Sequence, residues 1–284
     1  MARRPRISGE GLYHHIYAWG NNRQAIFLVD EHYQRYLNLL EIHGREHRVD
    51  VVAYALMQSH IHLFVHDPAG NISQFMNGLH GGYAQYFNRA TGRIGHVFGE
   101  RFNNRIVQAN NYGLWLSRYI HRQAVEAGLV TDPVDYPWSS YHMYLREAPS
   151  NFLKPEITLE QFGNIGERTR LYKEFVLNTE HDPVDWNTTS AEVIGDSGFR
   201  QLVNCRIATG RKNKPDSDEL AELIEIHFNI DLQMLIGACG LSERRLRRQV
   251  IRYLIGEAGA GRTEVARLLR VSPMAIYKAL KEKV

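Results

Sequence analysis

The sequence predicts an α+β protein with a second, all-helical part, and three observations lead there. Hydrophobic periodicity in the first half switches between 2 and 3.6 residues in the order β-α-β-β-α-β-α. No such alternation is seen beyond residue 200, where every periodic segment is helical. The charge divides the same way. The chain of 284 residues carries a net +3, but residues 200–284 hold 16 basic and 10 acidic side chains, a net +6, whereas 148–199 hold 4 and 9, a net −5.

The elements follow in order. Residues 11–20 are aromatic and β-branched and run into Gly20-Asn21-Asn22, which reads as a strand and turn. Residues 31–47 place Tyr33, Tyr36, Leu37, Leu40 and Ile42 at helical spacing. Residues 50–57 and 60–66 are apolar strands joined by the polar pair Gln58-Ser59, an antiparallel hairpin. Residues 72–90 put Ile72, Phe75, Met76, Leu79 and Tyr83 on one helical face. Residues 101–108 form a further strand, and 110–127 a helix with an asparagine at its start and Gly128 past its end. This order is a split βαβ pattern, for which a small antiparallel sheet with helices on one face is expected. Residues 158–178 read as helical within an acidic, turn-rich stretch. Helices are expected at 217–228, 231–239, 242–256, 262–269 and 273–282. The domains are therefore 1–147, an acidic linker or bridging module at 148–205, and a helical domain at 206–284.

Composition excludes several classes. With 44% apolar and 23% charged residues the chain is not expected to be disordered. No apolar run reaches the roughly 18 residues of a membrane span, and the basic N-terminus leads into no apolar stretch. Cys205 and Cys239 are too few for a disulfide framework or a cysteine-only zinc site. The expectation is a cytoplasmic protein whose basic block meets a polyanion.

Two local patterns carry chemistry. In the strand His60-Ile61-His62, residues i and i+2 project from one face, so two imidazoles stand side by side. That suits a shared divalent ion, and it equally suits two hydrogen-bonded histidines at a sheet surface. His66 lies four positions on, some 13 Å along an extended strand, too far to share the ion. In the helix, Tyr119 and Gln123 stand at i and i+4 on one face. They offer a phenol nucleophile and a neutral oxygen ligand, or a core tyrosine beside a solvated glutamine. His121 points elsewhere, either toward a phosphate or toward no partner of consequence.

Taken together, His-x-His on a hairpin strand and Tyr-x-x-x-Gln on a helix about 60 residues later resemble the HUH single-tyrosine DNA transposases. The runs Tyr119 to Val125, Gly128 to Val130 and Tyr136 to Tyr141 are similar to the REP-associated tyrosine transposase branch. That branch commonly has Asn-Pro where this chain has Gln123-Ala124. The resemblance spans roughly residues 8–146. It implies a ferredoxin-like HUH nuclease domain that cleaves and rejoins single-stranded DNA folded as a REP-like hairpin, through a 5′-phosphotyrosine. Tyr119 would be the nucleophile, and His60, His62 and Gln123 would hold Mg2+ or Mn2+. It also implies a monomer acting on the nucleoid in DNA transposition and recombination. Arg3, Arg4 and Arg6 form a basic arm, and Arg101, Arg105, Arg118 and Arg122 flank the expected site, as candidates for DNA contact. A non-catalytic regulator that only recognises DNA hairpins is the alternative.

Residues 262–282 read as a helix-turn-helix. Ser272 is the candidate cap, Pro273 the first helical residue, and Met274, Tyr277, Lys278 and Lys281 the groove-facing side chains. Arg244, Arg245, Arg247 and Arg248 precede it as phosphate contacts. Residues 217–282 resemble the C-terminal duplex-DNA-binding domain of bacterial replication initiators, without that family's Asp-His-Thr-Thr run.

Overall fold

A computed structural model describes residues 7–146, 152–163, 165–178, 184–209, 217–236, 240–256, 258 and 260–281. Arg3, Arg4 and Arg6 lie outside the described residues. The chain divides into two compact units, the first running to Glu192 apart from Gly9–Gly11, which group with the second, from Val193 onward.

The first unit holds four long elements of sheet: β1 (Leu12–Trp19), β2 (Asp50–Met57), β3 (His60–Asp67) and β4 (Asn103–Val107). Their order is β2-β3-β1-β4, and every adjacent pair is antiparallel. β1 and β2 are thus parallel with β3 inserted between them, the split βαβ arrangement that the element order predicted. β2 would be an exposed edge, but later chain covers it. The Leu56 N–H donates to the Trp138 carbonyl, the Ser140 N–H to that of Tyr54, and the Lys154 N–H to that of Val51. At the opposite edge the Ile106 N–H donates to the carbonyl of Glu192.

Helices α1 (Asp30–His47) and α2 (Ile72–Thr91) pack on one sheet face. Tyr36 and Leu40 of α1 and Phe75, Leu79 and Tyr83 of α2 share a core with Ile16, Tyr54, Leu56, Ile61, Leu63 and Val65. Helix α3 (Asn111–Glu126) lies on the other face. There Gly113 sits so close to Phe64 that a Cβ would stand 3.1 Å from its ring. Helices on one face only, the expectation from sequence, therefore holds for α1 and α2 and not for α3. The reason is visible in the strands. β2 and β3 are buried almost throughout on both sides, and β2 offers the small Ala53 and Ala55 beside Phe64 and His62, where α3 approaches.

Residues 148–205 do not form a separate linker. Leu153, Tyr172 and Val176 are buried in the first unit's core, and residues from Val193 belong to the second unit. The expected helix over 158–178 is broken into α5 (Glu156–Leu159), two single 3-10 turns, and α6 (Arg168–Leu177). It follows α4 (Tyr141–Tyr144), and Gly163 at φ 78° interrupts it.

The second unit begins with a short strand, Val193–Ile194, and is otherwise helical: α7 (Ser197–Thr209), α8 (Ser217–Phe228), α9 (Leu232–Leu235), α10 (Leu241–Gly256), α11 (Arg262–Leu268) and α12 (Pro273–Lys281). Helix α7 was not foreseen. The Asp196 carboxylate accepts from the Phe199 N–H at 2.8 Å and opens it. α9 is one turn where nine residues were expected, and 237–239 lie outside the described residues. The turn before α12 is as read from sequence. Arg270 is left-handed at φ 50°, and Ser272 Oγ accepts from the Ala275 N–H at 3.2 Å. Leu254, Val265, Leu269, Ile276 and Ala279 are buried. Met274, Tyr277, Lys278, Lys281, Arg244, Arg245 and Arg248 are exposed, and Arg247 is half-buried. Among the described residues no helix is long and apolar enough to cross a membrane.

Candidate active site

The face of the sheet beneath α3 carries alternate residues of two strands. The antiparallel register pairs Trp19 with His60, Tyr17 with His62 and His15 with Phe64. His60 and His62 therefore stand beside a row of aromatic and imidazole rings, with their own centroids 5.2 Å apart. His62 Nδ1 is 3.1 Å from His15 Nε2, and His60 Nδ1 is 3.3 Å from Ser59 Oγ. Engagement of both Nδ1 atoms leaves Nε2 as the ligand atom on each ring, the pattern expected when an outer partner orients a metal-binding histidine. Burial pulls the pKa of both imidazoles down, and neighbours that would repel a second positive charge add to it: Arg23 for His60; His15, His60 and Arg105 for His62. Both rings are neutral at neutral pH, the form that ligates.

Helix α3 brings Tyr119 and Gln123 onto this face. The Tyr119 ring stands perpendicular to His62 with centroids 5.5 Å apart. Its hydroxyl donates to Asn187 Oδ1 at 2.9 Å, and the ring is 5% exposed. Burial, with Glu126 nearby, raises its pKa to about 12, against the opposing pull of Arg105. The phenol is thus a poor nucleophile until its proton is withdrawn. Gln123 is buried, its Nε2 donates to the Tyr119 carbonyl at 3.3 Å and to Glu126 at 3.5 Å, and its side chain lies near His60. Two imidazoles and one carboxamide share this region, and as a donor set they fit a divalent cation. The alternative of a solvated Gln123 does not describe this arrangement.

The expected basic flank is differently employed. Arg105 pairs with His15 across β1 and β4, which turns it onto the buried face. Its guanidinium donates to the carbonyls of Trp186 at 2.7 Å and Thr189 at 2.6 Å, and lies 4.9 Å above the Tyr17 ring. Arg105 thereby fastens residues 186–189 over Tyr119 instead of facing a phosphate. Arg122 donates to the Val176 carbonyl at 2.9 Å and approaches Glu126. Arg118 is buried between Trp115 and Phe175 and donates to the Asn178 carbonyl. Of the four flanking arginines only Arg101 is exposed. A cation not singled out from sequence, Arg23, lies over the Trp19 ring at 5.0 Å. It is exposed and held by a left-handed turn at Asn22 and Arg23.

His15, Trp186 and Asn187 were not anticipated. The first was legible in the β1 alternation, since it shares a face with Tyr17 and Trp19. The other two had no signal, because they meet Tyr119 from about 68 residues further along the chain. His66, set aside as too far from the pair, bonds Asp50 at 3.2 Å at the other end of the strand.

His121 belongs to the core. Its Nδ1 is 2.6 Å from the Tyr172 hydroxyl, its Nε2 is 2.7 Å from Ser140 Oγ, and burial lowers its pKa to about 3. His121→Ala takes one of the hydrogen-bond partners from each of two buried hydroxyls, Tyr172 and Ser140, and leaves a ring-sized void, and should cost roughly 2–4 kcal/mol in a denaturant titration. A loss below about 1 kcal/mol would show that water substitutes fully for the ring.

Residues 9–123 match the family model described as "Transposase IS200 like". Apart from Gly9–Gly11, the matched stretch is part of the first unit, and it contains His60, His62, Tyr119 and Gln123. Among solved structures, the chain is similar to a REP-associated tyrosine transposase bound to a REP hairpin, at 17% identity, TM-score 0.42, covering 54% of this chain and 96% of that one. It is also similar to a putative transposase from Deinococcus radiodurans, at 20% identity, TM-score 0.31, covering 43% and 98%. No curated protein matches the sequence.

Proposed function

We propose that the IS200-like transposase segment over residues 9–123, completed by the chain up to Glu192, is a site-specific single-stranded DNA endonuclease and strand transferase that uses Tyr119 as its nucleophile. The observation that carries this reading is the placement of the His60 and His62 rings beside Tyr119, with Gln123 one turn further along the same helix face. His60, His62 and Gln123 would hold Mg2+ or Mn2+, which when bound draws charge from a non-bridging oxygen of the scissile phosphate. Tyr119 Oη forms the new bond to phosphorus, giving a 5′-phosphotyrosine. The bond to the 3′ oxygen breaks, and that oxygen takes up a proton while the phenol releases one. Attack by a second 3′ hydroxyl reverses the step and joins strands without ATP. For the phenol to reach phosphorus, its bond to Asn187 must first open. Trp186 and His15 restrict the ring's tilt on two sides.

The substrate is inferred to be DNA with an imperfect, REP-like hairpin beside the cut, from the motif resemblance. The second unit is inferred to grip duplex DNA. Exposed Arg244, Arg245 and Arg248 suit phosphates, and Tyr277 and Lys278 suit a groove. We infer a monomer acting at the nucleoid.

The test is incubation with a labelled single strand that carries the palindromic repeats flanking the gene, with Mg2+ or Mn2+. Expected are a shortened strand with a free 3′ hydroxyl and a protein–DNA adduct resistant to denaturation. Hairpin binding that yields neither product in either metal would favour the non-catalytic regulator.

A further inference from the structure

We propose a second metal site, distinct from the His60 and His62 pair, formed by His43, Glu46 and His47 at the C-terminal end of α1 and selective for zinc-class divalent ions. The three residues stand at i, i+3 and i+4 and so share one helix face. The His43 and His47 rings are stacked, with centroids 5.9 Å apart and planes 13° from parallel. Glu46 lies between them: one carboxylate oxygen is 3.0 Å from His43 Nδ1 and 3.8 Å from His47 Nε2. One ligand atom from each residue falls within 4.8 Å of the others. A tetrahedral ion with bonds of about 2.0–2.1 Å needs ligand atoms roughly 3.3 Å apart, which this trio brackets with small side-chain rotations.

Three further features favour an ion here. Gly78 in the middle of α2 abuts the His43 ring so closely that a Cβ would stand 2.6 Å from Nδ1. A glycine inside a helix is unfavourable by roughly 0.5–1 kcal/mol, and at Gly78 it makes room for His43. Asn71 Nδ2 donates to the His47 carbonyl at 3.2 Å, which pins the end of the helix. The helix terminus places partial negative charge near the site, favourable to a cation.

The donors choose the metal. Two imidazoles and one carboxylate suit Zn2+, Co2+ or Ni2+, and Mg2+ prefers all-oxygen ligands. The histidine side chains are 18% and 21% exposed and Glu46 is 58% exposed, so the fourth position opens to solvent. The two sites lie at opposite ends of the sheet: β2 starts at Asp50, just past α1, and its other end, Met57, pairs with His60. That separates them by on the order of 20 Å. An ion held here would staple the last turn of α1 and raise the stability of the folded state.

The experiment removes the first site and tests the second. Full-length protein carrying His60→Ala and His62→Ala is titrated with Co2+ alone and followed by its d–d absorption, then melted with and without Zn2+. One equivalent should bind with the strong bands of a four-coordinate ion, Zn2+ should displace it, and the melting temperature should rise. Adding Glu46→Gln or His47→Ala, both on the helix surface, should weaken binding at least about tenfold and abolish the rise. Absence of binding in the His60/His62 background would overturn the proposal. So would equal affinity in the Glu46→Gln and His47→Ala proteins.

Discussion

Tyr119→Phe should abolish strand cleavage and the covalent adduct, by at least about 10⁴-fold in rate, while leaving the fold and hairpin binding unchanged. The substitution removes one oxygen. The phenylalanine ring keeps the perpendicular contact with His62 and the tilted contact with Trp186. The partner that loses its hydrogen bond is Asn187, which is exposed and is resatisfied by water. The stability cost is therefore expected within about 1 kcal/mol. A denaturing gel of radiolabelled DNA measures the first effect and a thermal melt the second. An adduct that persists in the Phe variant would mean that another side chain attacks, and the assignment of Tyr119 would fall.

That result would test the part of the molecule that was most legible beforehand. A period of 2 in residues 60–66 and of 3.6 in 110–127 is enough to place His60 with His62 and Tyr119 with Gln123. Each pairing is local, fixed by one element's own geometry. What brings the two pairs together is not local. It depends on α3 crossing the sheet face opposite α1 and α2, which the small Ala53 and Ala55 permit. Alanine in a strand carries no signal about which layer will cover it, so helices on one face was the natural expectation.

The roles of the charged residues were least legible. Arg105 and Arg122 sit close to Tyr119 in sequence and look like DNA contacts. Arg105 in fact donates to backbone carbonyls at 186 and 189, and Arg122 to that of residue 176. A guanidinium satisfies orphan carbonyls of irregular chain as readily as phosphates. Only the path of the later chain decides between them. The same path explains the misplaced boundary. Residues 148–192 are acidic and turn-rich, hence read as linker, yet Leu153, Tyr172, Val176 and Trp186 are enough apolar surface to belong to the first unit. Sparse large side chains among polar ones escape a periodicity test.

Replacing both proposed ligand histidines, His60→Ala with His62→Ala, should reduce cleavage at least about 10³-fold, with no rescue by excess Mn2+ and with hairpin affinity retained. The difficulty is that His62 is also structural: it is 5% exposed and bonded to His15, which is itself buried. Its loss leaves His15 Nε2 without that partner and should cost about 1–3 kcal/mol. A protein that merely unfolds would lose cleavage for the wrong reason. His60 separates the two effects. It is half-buried and its Nδ1 bonds only the neighbouring Ser59, so His60→Ala alone should cost about 1 kcal/mol or less in stability while still removing a ligand. Cleavage that falls at least about tenfold in His60→Ala and partly recovers as Mn2+ is raised is the behaviour of a weakened metal site. Cleavage that tracks melting temperature across the single and double variants, insensitive to Mn2+, would assign these histidines to the fold and leave Tyr119 without its metal.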